Sequence, residues 1–376
     1  MNRSLLFVVN VDWFFLSHRL PIALEAMRQG YKVHIAVGLT NKLSDLQKHG
    51  LVVHPLNLER GNAGFLSTCR SAIQLFKLFR TIRPDIVHLV TIKPVLLGGI
   101  AARCARVPAV VAAVSGLGYV FTARGLKATV RRNMVGVLYR LALGHRNQKV
   151  IFQNIDDLQS VSKIAHLSKN DIVLIRGSGV VLDDFPPQAL PNGVPIVLLA
   201  ARLLVDKGVV EFVDAARELK KRNLVARFVL VGTIDLANPA SCTQSDIDHW
   251  QKEGIVEVWG HRADMSQVIA SAHVIVLPSY REGLPKILIE AAASARAVIT
   301  TDVPGCRDAI LNGVTGVLVP VRNSALLSEA IWTMLNDQVR CETMGKAGRK
   351  FAEDVFDVRQ VVNKHLEIYH ELTTNS

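Results

Sequence analysis

Residues 280–292 read YREGLPKILIEAA and set two carboxylates, Glu282 and Glu290, eight positions apart. Glutamates that close invite the reading of an acid–base pair, and geometry opposes it. Pro285 suits the first position of a helix, because its fixed φ fits there and its missing N–H would have no intrahelical partner. Lys286 to Ala293 then continue the helix. At a rise of about 1.5 Å per residue, eight residues span roughly 12 Å, beyond the ~5–9.5 Å at which glycosidase carboxylates work. The two glutamates are better placed to hold opposite ends of one extended ligand. Between them, the N–H groups of Gly283 and Leu284 near a helix N-terminus suit phosphate oxygens or sugar hydroxyls, and the helix dipole favours negative charge there. A capped helix with two exposed glutamates is the plainer alternative. It does not explain why Glu290 interrupts the apolar run ILIEAAA.

A second cluster lies in ARLLVDKG, where Arg202 and Lys207 flank a short loop and Gly208 opens the next helix. Arg binds oxygens bidentately and Lys adds a mobile point charge, so the pair suits a diphosphate. Two ordinary surface cations on a solvated turn are the competing reading. Combined with REGLPK, the arrangement becomes a diphosphate site, with Glu282 at the sugar end and Glu290 deeper at the ribose end. Lys286 belongs to the same donor set. In the first half, Asp12, His18, His88, Lys93, Gly116 and Arg124 are candidates for an acceptor side. His18 and His88 are placed near strand ends, although a lone histidine is more often structural. The run Ser115–Phe121 contains GxG without the third glycine of a dinucleotide fingerprint, so hydride transfer is a poor reading. No Ser-His-Asp or Cys-His constellation supplies a nucleophile. Asp183–Asp184 is a bare pair, read as a solvated turn rather than a metal site.

These residues need a scaffold, and the sequence describes one. Apolar runs at 5–10, 31–37, 51–56, 85–90, 109–114, 149–153 and 171–175 alternate with helix-length segments, which is the pattern of a parallel sheet covered on both faces. Residues 177–195 are rich in Gly and Pro and mark a linker. A second series follows in PIVLLAA, ARFVLVG, IVEVWG, HVIVLP, AVITT and GVLVP. The expectation is an α/β chain of two Rossmann-like domains, 1–180 and 190–355, facing each other across a crevice, with a C-terminal helix over 356–376 packing back on the first. Ligands bind such sheets at the carboxyl ends of their strands.

Composition narrows the class. With 376 residues, 49% hydrophobic content and 20% charge, the chain is globular. Its five dispersed cysteines, without CxxC, fit neither a disulfide framework nor a zinc site, and point to a reducing cytoplasm. The apolar N-terminus is interrupted by Asp12 and reads as a first strand rather than a signal sequence. The uncharged run 107–123 is short for a membrane span and contains Pro, Ser and Gly, so it reads as strand and loop.

The net charge of +12 is lopsided: residues 1–188 hold 24 Lys/Arg against 10 Asp/Glu, whereas the rest hold 20 against 22. Residues 86–155 contain ten basic side chains and no acidic one. In RGLKATVRRNMVGVLYRLAL, Arg124, Lys127 and Arg131 share one helical face, which suits an anionic membrane surface or a lipid diphosphate; a solvated basic face is the alternative. A nucleic-acid-binding protein would also explain the charge. It is disfavoured because the basic half shows no aromatic platform and the glutamate motif would be unused.

Together Arg202, Lys207-Gly208, the Glu282-x7-Glu290 motif and VITTDVPGCRDAI resemble the retaining GT-B glycosyltransferases of family 4, and LSHRLPIA, DIVHLVTIKP, GLGYVF and GSGV extend the resemblance over essentially the whole chain. The chain departs from the family at VNVDWFF, where the usual Gly-rich loop after the first strand is absent. The resemblance implies a nucleotide-sugar donor in the second domain, UDP-linked, and an acceptor in the first. It implies Arg202 and Lys207 neutralising the leaving diphosphate, Glu282 on the donor sugar, Glu290 on the ribose, and front-face substitution with retention. It implies no bound metal or other cofactor. An acceptor linked to undecaprenyl diphosphate, an N-acetylated hexosamine or related hexose as the transferred sugar, and peripheral attachment to the inner face of the cell membrane complete the expectation. A nucleotide-sugar epimerase of the same fold is the rival within enzymes.

Overall fold

A computed structural model describes residues 3–57, 65–116, 135–236 and 238–374. The chain divides into two compact units: residues 1–178 with 359–376, and residues 179–358.

The first unit is built on a seven-stranded parallel sheet: β1 (Ser4–Val9), β2 (Lys32–Val37), β3 (Val52–Pro55), β4 (Ile86–Val90), β5 (Ala109–Val114), β6 (Gln148–Phe152) and β7 (Ile172–Leu174). Their spatial order is β3-β2-β1-β4-β5-β6-β7. β1, β4 and β5 are wholly apolar apart from Ser4 and His88, and nearly every residue in them is buried. Strands covered by helices on both faces need such continuous hydrophobic runs. In the second unit, β8 (Ile196–Ala200), β9 (Arg227–Val231), β10 (Glu257–Gly260), β11 (Val274–Leu277), β12 (Ala297–Thr301) and β13 (Gly316–Val319) pair in the order β10-β9-β8-β11-β12-β13. All the pairings are parallel. Every strand run read from the sequence is a strand here.

Each order contains one reversal. In the first sheet the chain moves outwards from β1 to β3 and then restarts at β4 on β1's other side; in the second it moves from β8 to β10 and restarts at β11. The helices that follow β8 and β11 therefore pack into different cores on the sheet, while the loops that lead into them meet at its carboxyl edge, the usual place for a ligand in such sheets.

The last helix, Val358–Thr374, supplies Val361, Val362, His365, Leu366, Ile368, Tyr369 and Leu372 as buried residues. From 359 onwards it belongs to the first unit. Tyr369 meets His88 of β4, with the hydroxyl 2.6 Å from Nδ1. His365 stacks on the same ring at 5.5 Å. Arg19 is 1% exposed beside this cluster and donates to the His18 carbonyl at 3.0 Å. Further ties to the helix come from Arg3 to Thr373, from Asn147 to the Leu372 carbonyl at 2.9 Å, and from Lys149 to Glu371 at 2.5 Å. Asp183–Asp184 lies in a short exposed 3-10 turn, Leu182–Asp184.

Candidate active site

The second sheet's reversal gathers the residues singled out above. After β8 the chain makes a 3-10 turn, Val205–Lys207, then passes through Gly208 at φ +73° into the helix Val209–Lys221. A Cβ on Gly208 would sit 2.2 Å from the Pro278 carbonyl oxygen, so only glycine allows the Lys207 loop to lie against the loop leaving β11. From the other side, Gly305 packs its backbone under the Glu282–Gly283 turn; a Cβ there would fall 2.5 Å from the Gly283 oxygen. Between these two contacts, the Glu282 N–H donates to the Pro304 carbonyl at 3.1 Å, and the Thr301 hydroxyl donates to the Ser279 carbonyl.

The result is a fixed Lys207–Glu282 pair. Lys207 Nζ donates to Glu282 Oε1, and the Ser279 hydroxyl donates to the same oxygen at 2.7 Å. The side chains are 20% and 12% exposed, so both stay reachable from solvent while largely shielded from it. An ion pair in this setting is aimed by its surroundings rather than by the two flexible side chains alone. Beneath it lies Cys306, whose thiol is pushed up to about 12 by burial, with the Glu282 charge adding to the effect. It stays protonated at neutral pH and is no nucleophile.

Glu290 lies in the helix Lys286–Ala293, 8% exposed, with Lys286 Nζ 3.3 Å from its Oε1. Burial pushes its carboxyl above the usual range, and Lys286 pulls it back. Neither glutamate is an exposed helix-surface residue. Pro285 is the residue before the helix rather than its first: its ψ of 123° is extended, so Lys286 begins the turn. Leu284 is buried in the core that includes Leu288. Arg202 has a carboxylate partner that the sequence did not announce. It pairs with Asp235 at 2.7 Å and is 46% exposed, two residues beyond the end of β8.

The first-unit candidates are dispersed. Asp12 is fully buried, and its carboxylate accepts from the N–H of Trp13 (2.8 Å), the N–H and hydroxyl of Thr40 (both 2.7 Å) and the N–H of Lys42 (3.2 Å). Burial raises its pKa, but these bonds, Thr40's foremost, hold it below the ordinary value. It clamps the turn that follows β2. His18 ends the helix Asp12–His18, stacked on Phe14 at 4.0 Å. The reading of His88 as a strand-end residue is corrected: it is the midpoint of β4, 0% exposed and bonded to Tyr369. A doubly covered sheet buries every residue at a strand's centre. Lys93 and Gly116 follow β4 and β5, half-buried at the sheet's carboxyl edge, with Gly116 at φ +101°. Arg124, Lys127 and Arg131 lie outside the described residues.

Sequence reasoning passed over Asp235, Ser279, Tyr280, Glu211 and Arg322. Ser279, two residues beyond β11 and three before Glu282, was the one with a positional signal.

Among the described residues no group of three or more His, Cys, Asp or Glu side chains could hold a metal ion. Nor is any described helix long and apolar enough to cross a membrane.

Known proteins place this geometry in context. Residues 194–337 match the family model for glycosyl transferases group 1, and residues 4–154 match that for glycosyl transferase 4-like domains. The chain is 30% identical over 385 residues to N,N'-diacetylbacillosaminyl-diphospho-undecaprenol alpha-1,3-N-acetylgalactosaminyltransferase of Campylobacter jejuni, covering 96% of this chain and 99% of that protein. It is 25% identical over 330 residues to UDP-Gal:alpha-D-GlcNAc-diphosphoundecaprenol alpha-1,3-galactosyltransferase of Escherichia coli, covering 84% and 82%. Among solved structures, sucrose-phosphate synthase from Thermosynechococcus elongatus superposes with a TM-score of 0.81 at 19% identity, and a glycosyltransferase from Rickettsia africae with 0.79 at 19%; each alignment covers 100% of both chains. With two parallel-sheet units, a Lys207–Glu282 pair at the reversal of the second sheet, and a relative matched along nearly its whole length, the chain belongs to the family 4 glycosyltransferases of GT-B fold.

Proposed function

We propose that the chain transfers an N-acetylated hexosamine or related hexose from a UDP-sugar to a sugar already linked to undecaprenyl diphosphate, with retention, in the assembly of a bacterial surface glycan. The observation that carries this reading is the Lys207–Glu282 pair, fixed at a strand-end crevice in a chain that aligns along nearly its whole length with a transferase named for a diphospho-undecaprenol acceptor. Both relatives named above form alpha linkages. From an α-configured UDP-sugar, that outcome is retention.

In this reading the anomeric carbon–phosphate oxygen bond breaks as the acceptor oxygen bonds the same face, and the acceptor proton passes to a donor phosphate oxygen. Lys207 meets the charge that grows on the departing diphosphate, with Arg202 as a second cation. Charge stabilisation aimed at the transition state is commonly the largest catalytic term. Glu282, held between Lys207 and Ser279, accepts hydrogen bonds from donor-sugar hydroxyls, and Glu290 accepts from the ribose. Gly283, Leu284 and Lys286 line the diphosphate. No metal or other cofactor is assigned a part, so chelator should leave turnover intact.

Peripheral attachment to an anionic membrane is part of the same proposal. It is supported by the charge of the first half and by the helical stretch 135–142, where Val137 and Leu141 are 54% and 48% exposed on either side of Arg140. The deciding experiment incubates the protein with UDP-GalNAc, UDP-GlcNAc or UDP-Gal and an undecaprenyl-diphosphate-linked acetamido sugar, then reads the product by mass spectrometry and its anomeric proton by NMR. An α-linked lipid-bound disaccharide is expected. Epimerised nucleotide sugar with no lipid product would replace the reading by its rival.

A further inference from the structure

Lys207 and Glu282 stand on loops from different strands, and a salt bridge between two flexible side chains does not by itself fix where either one points. Something else must set their separation. We propose that Tyr280 is a positioning residue for sugar transfer, a wedge that locks the Lys207 loop to the Glu282 loop through Glu211 and Arg322. The inference deepens the transferase reading above and rests on it.

Tyr280 touches three of the strand-end segments at once. Its backbone N–H donates to the Asp206 carbonyl at 2.9 Å, one residue before Lys207. Its hydroxyl donates to Glu211 Oε1 at 2.6 Å, in the first turn of the helix that begins directly after Gly208. The Arg322 guanidinium lies 4.5 Å from the ring centroid, reaching in from the segment after β13. Arg322 holds a φ of +58°, which a non-glycine residue keeps only when its surroundings over-determine it. The phenol is pushed up to about 12 by burial first and by Glu211 second, so its proton is present to be donated at neutral pH.

Glu211 makes the strut directional. Its other oxygen, Oε2, is buried without a hydrogen-bond partner among the described residues. Losing the Tyr280 hydroxyl would leave both oxygens unsatisfied in a shielded place, a cost the loop can relieve only by moving. Such movement carries Lys207 away from Glu282, and displacements of about 1 Å in a catalytic group can lower rates roughly 10²-fold. A phenylalanine in place of Tyr280 would still fill the space and still face Arg322. The hydroxyl is therefore the separable part.

The test is Tyr280→Phe, with steady-state transfer from the best UDP-sugar, donor binding by calorimetry with UDP, and thermal denaturation. We expect kcat to fall about tenfold or more, with the UDP dissociation constant and donor KM within about twofold of wild type and the melting temperature lowered by only a few degrees, leaving the variant fully folded at the assay temperature. Glu211→Ala should match that loss, whereas Glu211→Gln, which keeps an acceptor for the hydroxyl, should recover to within about threefold of wild type. The double variant Tyr280→Phe with Glu211→Ala should be no slower than either single one, since both break one bond. Wild-type kcat in Tyr280→Phe, multiplying losses in the double variant, or failure of Glu211→Gln to recover would each overturn the inference while leaving the transferase reading in place. Wild-type protein that transfers no sugar would overturn both.

Discussion

Lys207 and Arg19 are both drawn away from bulk water, and they are held in opposite ways. Lys207 keeps 20% of its side chain exposed and faces a carboxylate. Arg19 is 1% exposed and faces His88, His365 and Tyr369, with no carboxylate of the described residues among the groups that act on its charge. Burial drags the Arg19 pKa down to about 10, so it stays charged at a cost. Tyr369 and the two histidines belong to the junction between β4 and the C-terminal helix. The difference separates chemistry from architecture: a cation that must meet an incoming anion needs solvent access and a partner it can leave, and a cation that pins a helix needs neither.

Several substitutions sharpen or break that contrast. The largest effect is expected at the open pair. Lys207→Ala or Glu282→Gln should lower kcat/KM for transfer about 10²–10³-fold, in the range seen when a single transition-state charge contact is removed, while circular dichroism and the melting temperature stay close to wild type. Near-normal turnover would remove the pair from the mechanism. Gly208→Ala comes next, because it attacks the loop that aims Lys207. The new Cβ would meet the Pro278 oxygen at 2.2 Å and the residue would sit at φ +73°. Destabilisation above about 1 kcal/mol, read by denaturant titration, should accompany a loss of transfer.

At the closed cluster the readout should be stability alone. His365 is held down to about 3, by burial first and Arg19 second, and His88 well below its ordinary value by burial, His365 and Arg19. Their neutral forms are the folded forms, so stability is complete above the unfolded pKa near 6.5 and drains away as the pH falls towards the folded values. His365 alone should contribute a loss of about 2 kcal/mol between pH 7 and pH 5. Denaturant midpoints taken across that window should fall steadily in wild type and less steeply in His365→Gln; equal slopes would exclude His365 as the source. Tyr369→Phe removes the hydroxyl partner of His88 and should cost about 1–3 kcal/mol, with kcat unaltered at a temperature where the variant is folded. The smallest change should come from Arg202→Ala. Its guanidinium is nearly half exposed and already paired with Asp235, so a fall in kcat/KM of about tenfold or less separates it from Lys207.

Much of this is legible in the amino-acid sequence alone, and the exceptions share a cause. The inner strand runs announced themselves because a doubly covered parallel sheet leaves long unbroken apolar segments, as in AVVAAV and IVLLA. Lys207 and Glu282 were legible because each follows a strand closely, beside glycine. Glu290 stood out as an acid inside an apolar helix. What sequence could not supply was pairing across distance. Asp235 is an ordinary surface acid until Arg202, 33 residues earlier, reaches it. Glu211 and Tyr280 are 69 residues apart and carry no mark of each other. His88 misled for a related reason: DIVHLV gives its strand but not where the strand stops, and the centre and the end of a five-residue strand differ by two positions.

The placement of the last helix sets the order in which this chain can mature. The polypeptide leaves the first unit near Ser178 and returns to it near Arg359, with the two crossings tied together where the Val180 N–H meets the Phe356 carbonyl at 2.8 Å and the Val358 N–H meets the Val180 carbonyl at 3.0 Å. A nascent chain emerging from the ribosome thus carries half a molecule whose His88 and Arg19 wait, uncapped, through the synthesis of 180 further residues. The continuous unit made last has every segment it needs as soon as it emerges, and the discontinuous one made first must finish second.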